Sequence, residues 1–226
     1  METTRVQALV FDFDGLILDT EGPVFTAWQE EFAAHGCPPL TVEEWSAEIG
    51  TSGGLDLVGM MRTRATRPVD EHAMHVRRRL RRDELLGRET ARPGVFGWLD
   101  AADELGLHLA IASSSPRDWV EPLLDRLGLG RRFAAIACFG PGVAGKPAPD
   151  TYRAACAALG VSPAAAIALE DSPHGVAAAK AAGLWCVAVP HALTELLDLS
   201  EADLVLRSLA DVSLRDVLEV RDPASR

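Results

Sequence analysis

VQALVFDFDG, residues 6–15, is an apolar run that ends in two carboxylates and a glycine. Residues 6–11 are almost wholly apolar, which predicts a strand buried on both faces of a parallel sheet that helices cover. A buried carboxylate carries a large desolvation penalty unless a cation or hydrogen-bond donors meet it. Open α/β sheets bind their ligands at the carboxyl ends of parallel strands, so Asp12 and Asp14 indicate a chemically active site.

The length and composition of the chain allow one α/β domain, or one core with a modest insertion. Of the 226 residues, 48% are apolar, which is enough for a substantial core. The net charge of −11 argues against binding of nucleic acid through its phosphates, but not against a small phosphorylated ligand at a local positive spot. The four cysteines are widely spaced and form no zinc-type cluster, which favours buried structural thiols.

The sequence shows no apolar run of membrane-spanning length, and residues 1–10 lack the basic-then-apolar layout of a signal peptide. These features predict a cytoplasmic protein that does not bind membranes. We expect it to be a monomer or a weak homodimer.

After residue 92, short apolar runs alternate with helical patterns. Such alternation predicts right-handed crossovers and a parallel sheet. Several of the predicted helices are followed by glycine, as expected after a helix C terminus. The predicted strands are 107–113, 133–139, 165–170 and 184–189, the predicted helices are 95–105, 119–127, 151–159 and 176–182, and a last short strand and helix lie in 203–220.

Residues 16–92 break this alternation, because they contain four helix-like stretches and no convincing strand. The stretches are 24–35, 42–48, 55–64 and 71–89, and breaks at Pro38-Pro39, Gly53-Gly54 and Arg67-Pro68 separate them. We therefore expect an α/β fold with a Rossmann-like parallel-sheet core and helices on both faces, formed by residues 1–15 and 93–226. A small helical domain, residues 16–92, is inserted after the first strand.

Four separated segments carry side chains suited to one site, because the carboxyl ends of parallel strands converge on one crevice. The side chains are Asp12 and Asp14 after the first strand, Ser113 with Ser114 and Ser115 at the end of the second, Lys146 in a later loop, and Glu170 and Asp171 at the end of the fourth. Four carboxylates, an ammonium and a hydroxyl suit Mg²⁺ and phosphate. Magnesium prefers carboxylate and carbonyl oxygen, and cations offset the carboxylate charge when an anionic phosphoryl group approaches.

Each segment also has a purely structural interpretation. Asp14-Gly15 is a common turn pair, and Ser113, Ser114 or Ser115 could cap a helix near Pro116. Lys146 could be a solvated lysine, and the acidic pair at 170–171 could favour the N terminus of the next helix. The occurrence of all four segments together favours a functional site.

The four segments resemble, in order and spacing, the four motifs of the haloacid-dehalogenase-like hydrolase superfamily. The residues that match are Asp12-Phe13-Asp14-Gly15, Ser113, Lys146-Pro147 and Glu170-Asp171. The resemblance spans nearly the whole chain, and the helical insertion matches the family's α-helical cap. Asp19-Thr20-Glu21 and Lys146-Pro147-Ala148-Pro149-Asp150 resemble the branch that contains β-phosphoglucomutase and phosphoglycolate phosphatase.

The resemblance implies a Mg²⁺-dependent phosphatase that hydrolyses a small phosphorylated metabolite. Asp12 would attack phosphorus and form an aspartyl-phosphate. Asp14 would protonate the leaving oxygen and then take a proton from water. The groups that would bind phosphate are Ser113, Ser114 and Lys146, with Thr20 as a further candidate for substrate contact.

The resemblance also implies a set of magnesium ligands. They are Asp12, the backbone carbonyl of Asp14, Asp171 and, directly or indirectly, Glu170.

Two positions depart from the β-phosphoglucomutase pattern. Proteins of that type have a histidine four residues after the threonine of Asp-Thr, and an arginine in the first cap loop that grips the distal phosphate. Val24 and Gly53 stand at the corresponding places here. We therefore expect hydrolysis, with a sugar-phosphate mutase as the alternative. A non-catalytic phosphate-binding regulatory protein on the same fold is a third possibility, against which the intact acid set weighs.

An arginine run, Arg77-Arg78-Arg79 with Arg81 and Arg82, predicts a basic face on a cap helix. Such runs are usually solvated, here with Asp83 and Glu84 as partners. Attraction of an anionic substrate toward the crevice is the alternative. Trp28 and Trp45 are expected to pack inside the helical insertion.

Overall fold

A parallel sheet of six strands forms the centre of the computed structural model, which describes residues 5–46, 49 and 55–222. The strands are β1 (Ala8–Phe11), β2 (His108–Ser113), β3 (Ala135–Cys138), β4 (Ala166–Glu170), β5 (Trp185–Ala188) and β6 (Leu204–Val205). Their order is β3-β2-β1-β4-β5-β6, and every pair is parallel. This confirms the predicted parallel α/β sheet. The chain builds outward from β1 to β3 and then crosses to β4 on the other side, so β1 lies at the switch point where such sheets bind ligands.

The strand register brings the predicted acidic residues together. Phe11 of β1 pairs with Ile111 of β2 on one side and with Leu169 of β4 on the other. The Asp12 backbone N–H donates to the Leu169 carbonyl at 2.9 Å. Asp12 and Glu170 therefore leave adjacent strands at the same level of the carboxyl edge.

The two faces of the sheet differ in side-chain size, because successive residues of a strand point to opposite faces. One face carries large apolar side chains, such as Phe11 and Leu169, and packs against α5 (Val95–Glu104), α6 (Arg117–Arg126) and α9 (Leu214–Arg221). The other face carries mainly alanine, and it packs against α7 (Asp150–Leu159) and α8 (Pro173–Ala182). Helices on both faces are thus confirmed, and the small side chains let α7 and α8 approach the strands closely.

The remaining helices have a hydrophobic core of their own. They are α1 (Glu21–Ala34), α2 (Val42–Ser46), α3 (Leu57–Arg64) and α4 (Glu71–Leu86). Their cluster contains Trp28, Phe32, Trp45, Met61 and Met74, which confirms packing roles for the two tryptophans. The described residues between 16 and 92 form no strand, only isolated bridge pairs such as Leu18 with Ala91. The division into domains at 15/16 and 92/93 stays a prediction.

Several helices begin earlier than the sequence predicts. Helix α1 begins at Glu21 rather than at residue 24, and α8 begins at Pro173 rather than at residue 176. In both cases a proline lies in the first turn, where its missing N–H has no intrahelical acceptor to lose. At the other end, α4 stops at Leu86, three residues before the predicted 89. Residues 47 and 48, the predicted end of α2, lie outside the described residues.

The cysteines and the lengths of the helices are the two features that composition addressed. All four cysteines are free thiols; Cys37, Cys156 and Cys186 are buried and Cys138 is half-buried. Burial raises the pKa of Cys156 and of Cys138 to about 11, so both stay protonated and unreactive at neutral pH. Within the described residues, no helix combines the length and the apolarity that a bilayer crossing needs.

Candidate active site

A buried ammonium lies between two carboxylates at the carboxyl edge of the sheet. Lys146 Nζ donates to Asp12 Oδ1 and lies 2.6 Å from Glu170 Oε1. The side chains of Lys146, Asp12 and Glu170 are only 1%, 6% and 0% exposed. Burial by itself lowers the pKa of Lys146, but the adjacent carboxylates outweigh it and raise that pKa above its ordinary value. Lys146 is therefore a permanent cation, as its predicted phosphate-binding role needs.

Glu170 is fixed by donors on both of its oxygens. The Tyr152 hydroxyl, from α7, donates to Oε1 at 2.6 Å, and the Asp171 backbone N–H donates to Oε2 at 3.1 Å. Burial and the negative charge of Glu170 raise the pKa of Tyr152 well above its ordinary value, so the phenol remains a donor. A Cβ at Gly175 of α8 would lie 1.9 Å from Glu170 Oε2. The close approach of α8 therefore depends on glycine at this position.

Asp171 presents one satisfied oxygen and one orphaned oxygen. Its Oδ2 lies 3.0 Å from His191 Nε2. The Leu193 backbone N–H donates to His191 Nδ1 at 3.3 Å, so Nδ1 carries a lone pair and Nε2 carries the proton that it donates to Asp171. The other oxygen, Oδ1, is buried and has no hydrogen-bond partner among the described residues. Such an oxygen is costly unless a cation binds it.

Three carboxylates meet closely enough to hold one metal ion. Asp12, Glu170 and Asp171 each offer an oxygen within 4.8 Å of the others, against a single neighbouring ammonium from Lys146. Burial raises the pKa of Asp12 well above its ordinary value; Lys146 lowers it, and the other carboxylates raise it further. The excess of negative charge, the hard oxygen donors and the orphaned Asp171 oxygen fit Mg²⁺. A Cβ at Gly15, whose φ is +79°, would lie 2.2 Å from Asp171 Oδ2.

Asp14 occupies a different environment, in which all of its donors among the described residues are uncharged. The Thr20 hydroxyl and the Trp119 indole N–H each donate to Oδ1 at 2.8 Å. The Ser115 and Ser113 hydroxyls donate to Oδ2 at 2.7 and 3.2 Å. Each oxygen thus accepts two hydrogen bonds from neutral donors, which fix the direction of the carboxylate.

The predicted residues divide between the wall of a cavity and its support. A cavity of about 140 Å³ is lined by Asp12, Asp14, Thr20, Ser114 and Lys146, together with apolar groups from α1 and α2. Ser113 is fully buried and does not line this cavity; its hydroxyl donates to Asp14 and accepts the Ser115 backbone N–H at 2.9 Å. Ser114 Oγ accepts the Lys146 backbone N–H at 3.0 Å, which fixes the lysine loop. Glu170 and Asp171 are buried and do not line this cavity.

Sequence reasoning missed several residues that hold this site. Arg92 donates to the carbonyls of Gly15, Val189 and Pro190 at 2.5 to 3.1 Å, which ties the loop after β1 to the loop after β5. His191 follows the end of β5, so the rule that located the other strand-end residues could have found it. Trp119 and Tyr152 read locally as helix-packing residues and carry no such signal. Ser115 was placed with Ser113 and Ser114 at the end of the second strand, but its contact with Asp14 was not predicted.

Known proteins resemble this chain in sequence and in structure. A family model described as haloacid dehalogenase-like hydrolase matches residues 6–183. The Bacillus subtilis (strain 168) protein YhcW, named as a phosphatase, is 40% identical over 215 residues, which cover 95% of this chain and 97% of that protein. A β-phosphoglucomutase from the same organism is 31% identical, with 92% of each chain covered. A crystal structure of a CbbY mutant from Rhodobacter sphaeroides in complex with xylulose-(1,5)bisphosphate has a TM-score of 0.74 and 31% identity, covering 93% of this chain and 98% of that one.

These similarities extend over the sheet, the helical insertion and the site. The segment matched by the family model contains all four groups of residues that meet at the carboxyl edge, from Asp12 to Asp171. The predicted similarity to the branch with β-phosphoglucomutase is confirmed as well. The family model matches most of the chain, and the buried lysine and carboxylates meet at the switch point of a parallel sheet. The protein therefore belongs to the haloacid dehalogenase-like hydrolases.

Proposed function

We propose that this protein is a cytoplasmic Mg²⁺-dependent phosphatase, monomeric or weakly dimeric, that hydrolyses a small phosphate monoester through an aspartyl-phosphate on Asp12. One observation carries the proposal: Asp12 lines the cavity while its carboxylate is bound to Lys146 and lies beside Glu170 and Asp171. A cation and a nucleophile thus meet at one point of the cavity. An acid–base candidate, Asp14, lies two residues away in a neutral setting.

In the first half of the proposed reaction, an Asp12 oxygen attacks phosphorus while the bond from phosphorus to the leaving oxygen breaks. Asp14 gives its proton to that oxygen, so the product leaves as an alcohol. In the second half, water attacks the aspartyl-phosphate, Asp14 takes a proton from the water, and the bond between Asp12 and phosphorus breaks. Phosphate is released and both carboxyl groups return to their starting states.

The positive groups of the site offset the charge of the phosphoryl group. Lys146 stays protonated beside Asp12 and lines the cavity, and Ser114 offers a hydroxyl there. Asp12, Asp171, Glu170 and the Asp14 backbone carbonyl would hold Mg²⁺. When bound, the ion supplies positive charge at the phosphoryl oxygens and removes the repulsion among the carboxylates.

We assign choice of substrate to the helical insertion, residues 16–92, as a cap over the core formed by residues 1–15 and 93–226. Val24 of α1 and Trp45 of α2 line the same cavity as Asp12 and Asp14. A cap that contributes part of the wall can exclude water and contact the leaving group. The bisphosphorylated sugar in the CbbY structure makes phosphorylated sugars the first substrates to test.

The lining of the cavity favours hydrolysis over sugar-phosphate isomerisation. A mutase of this type must retain a bisphosphate, which needs a second cation for the distal phosphate. Among the described residues that line the cavity, Lys146 is the single cation, and Val24 stands where the mutase pattern has histidine. Gly53, at the other departure from that pattern, lies outside the described residues.

The test is a phosphate-release screen over sugar phosphates, phosphoglycolate, polyol phosphates and nucleoside monophosphates, with Mg²⁺ and with a chelator. We expect release from at least one class with Mg²⁺, none with the chelator, and none from the Asp12→Asn variant. Isomerised sugar phosphate without net phosphate release would support the mutase. A variant that keeps near wild-type turnover would exclude the covalent intermediate.

A further inference from the structure

We infer that Trp119 is a positioning residue for Asp14, and that Arg82 makes this positioning depend on the cap helix α4. The inference rests on the proposed role of Asp14 as acid and base. Trp119 is half-buried near the start of α6, in the core, and it lines the cavity. Its indole N–H donates to Asp14 Oδ1 at 2.8 Å.

The chemistry of the indole distinguishes it from the other donors to Asp14. The hydroxyls of Thr20, Ser113 and Ser115 can rotate to donate or to accept, whereas an indole N–H can only donate. Trp119 therefore holds Oδ1 as an acceptor and fixes the direction of the Asp14 carboxyl group, whichever way the hydroxyls turn.

The same oxygen is linked to the helical insertion along two routes. Thr20, which donates to Oδ1, is the residue before α1. On the other route, the Arg82 guanidinium of α4 stacks on the Trp119 ring, with its carbon 4.8 Å from the ring centroid. A cation over the ring face draws electron density away from the N–H and strengthens it as a donor.

Helix α4 is itself bound firmly to α1. Arg77 forms a bidentate pair with Glu31 at 2.8 and 3.0 Å, and Arg81 pairs with Glu30 at 2.9 Å. These cross-helix partners were not predicted, although the predicted pair of Arg82 with Asp83 is present at 2.7 Å. The arginine run is therefore more than a solvated face, because Arg82 turns toward the tryptophan that fixes Asp14. A movement of α1 and α4 would change both contacts to Oδ1 together.

The test compares two leaving groups. An aryl leaving group such as that of p-nitrophenyl phosphate departs without protonation, whereas an alkyl leaving oxygen needs the proton of Asp14. We expect Trp119→Phe, which keeps the ring and removes the N–H, to lower the alkyl-to-aryl ratio of kcat/KM about tenfold, the contribution of one well-formed neutral hydrogen bond. Asp14→Asn removes the acid itself, so its alkyl-to-aryl ratio gives the largest decrease that loss of the acid can produce.

The matched control is Trp98→Phe. Trp98 is buried in the core, where its indole N–H donates to the Leu209 carbonyl at 2.9 Å, away from the cavity. Its loss should lower thermal stability and leave the alkyl-to-aryl ratio unchanged. An equal ratio in wild type and Trp119→Phe would overturn the inference while leaving the phosphatase proposal intact. A wild-type protein that hydrolyses neither substrate would overturn both.

The hydrogen bond between the Trp119 indole and Asp14 can also be observed directly, without measuring activity. The chain has five tryptophans, so five indole N–H signals are expected in a ¹⁵N-correlated NMR spectrum, and Trp119→Phe assigns its own. Asp14→Asn and Arg82→Met should both shift the Trp119 signal and leave that of Trp98 in place. If Trp119→Phe does not fold, phenylalanine substitutions at Trp28, Trp45, Trp98 and Trp185 assign the other four signals, and the fifth belongs to Trp119. A Trp119 signal that is unmoved by Asp14→Asn would refute the inference.

Discussion

Asp12 and Asp14 are two residues apart on one loop, yet the structure places them in opposite surroundings. Asp12 is buried among charged groups, with the Lys146 ammonium on its Oδ1 and two further carboxylates nearby. Asp14 is half-buried and receives four hydrogen bonds from three hydroxyls and an indole, all neutral. One carboxylate is held by a buried ammonium and the other by directed neutral donors.

The difference follows from where the partners come from. The partners of Asp12 lie at the ends of core strands or in core loops, so the sheet register fixes them. Asp14 draws its donors from the end of β2, from α6 and from Thr20 at the entrance to the helical insertion. Two carboxyl groups in unlike surroundings are suited to two roles. The buried one beside the Lys146 ammonium suits a nucleophile, and the one linked to the helical insertion suits an acid and base.

The largest expected effect separates the two roles directly. Asp12→Asn should form no phosphoenzyme with any substrate. Asp14→Asn should lower kcat/KM for an alkyl phosphate by about 10²- to 10⁴-fold, the usual contribution of general acid–base catalysis. With an aryl phosphate it should still phosphorylate Asp12 and accumulate that species, because hydrolysis of the aspartyl-phosphate needs the base. Mass spectrometry of acid-quenched protein checks this, and phosphorylated Asp12→Asn would contradict the assignment.

A second test removes the buried cation beside Asp12. Lys146→Met leaves Asp12 and Glu170 buried without a cation, and we expect the free energy of unfolding at pH 8 to fall by about 3–5 kcal/mol. Burial raises the pKa of Asp12 and of Glu170 in the folded state above their unfolded values. At a pH between the unfolded and the folded pKa values, the folded state therefore binds more protons than the unfolded state. The variant should therefore regain stability as the pH falls through the raised folded pKa values.

Urea unfolding at pH 8 and pH 5.5 measures this effect, with Lys180→Met as the matched control. Lys180 pairs with Asp203 at 2.6 Å, but its side chain is 35% exposed. A solvent-screened pair of this kind should cost about 1 kcal/mol or less at either pH. Equal losses in the two variants would show that the Asp12 cluster needs no buried cation.

A third test disturbs Glu170 without changing any charge. Gly175→Ala introduces a Cβ 1.9 Å from Glu170 Oε2, so the carboxylate must leave Lys146 or Tyr152. We expect Mg²⁺ affinity to fall about tenfold by isothermal titration calorimetry, the usual cost of disturbing groups that orient metal ligands.

The matched control for that substitution is Gly97→Ala in α5. A Cβ at Gly97 meets no heavy atom within 4 Å, so the variant should gain up to about 1 kcal/mol from better helix propensity and bind Mg²⁺ unchanged. Unaltered affinity in Gly175→Ala would separate Glu170 from metal binding.

The smallest effect is expected at Asp14. Thr20→Val removes one of its four donors, and three remain, so we expect a loss of about 1 kcal/mol in stability and a few-fold decrease in kcat/KM for an alkyl phosphate. Thr63→Val is the control, since its hydroxyl donates to the Met60 carbonyl on an exposed helix. A loss as large as that of Asp14→Asn would mean that Thr20 alone fixes the carboxylate.

Local patterns in the sequence predicted the sheet and most of the residues at its carboxyl edge. The apolar run before Asp12 and the acidic pair after residue 169 are strand-end signals, and parallel strands bring their ends together whatever the details of packing. Helix starts were less well predicted, because prolines such as Pro23 and Pro173 read as breaks although the first turn tolerates them.

The sequence alone determined which residues form strands, the order of the charged residues and the polarity of each strand end. These are properties of neighbouring positions along the chain. Only the tertiary structure decided which atoms orient the carboxylates. Trp119 lies 105 positions from Asp14, and Tyr152 and His191 lie 18 and 20 positions from Glu170 and Asp171. Such contacts depend on how helices pack on the sheet, and no periodicity along the chain encodes the distance between an indole and a carboxylate.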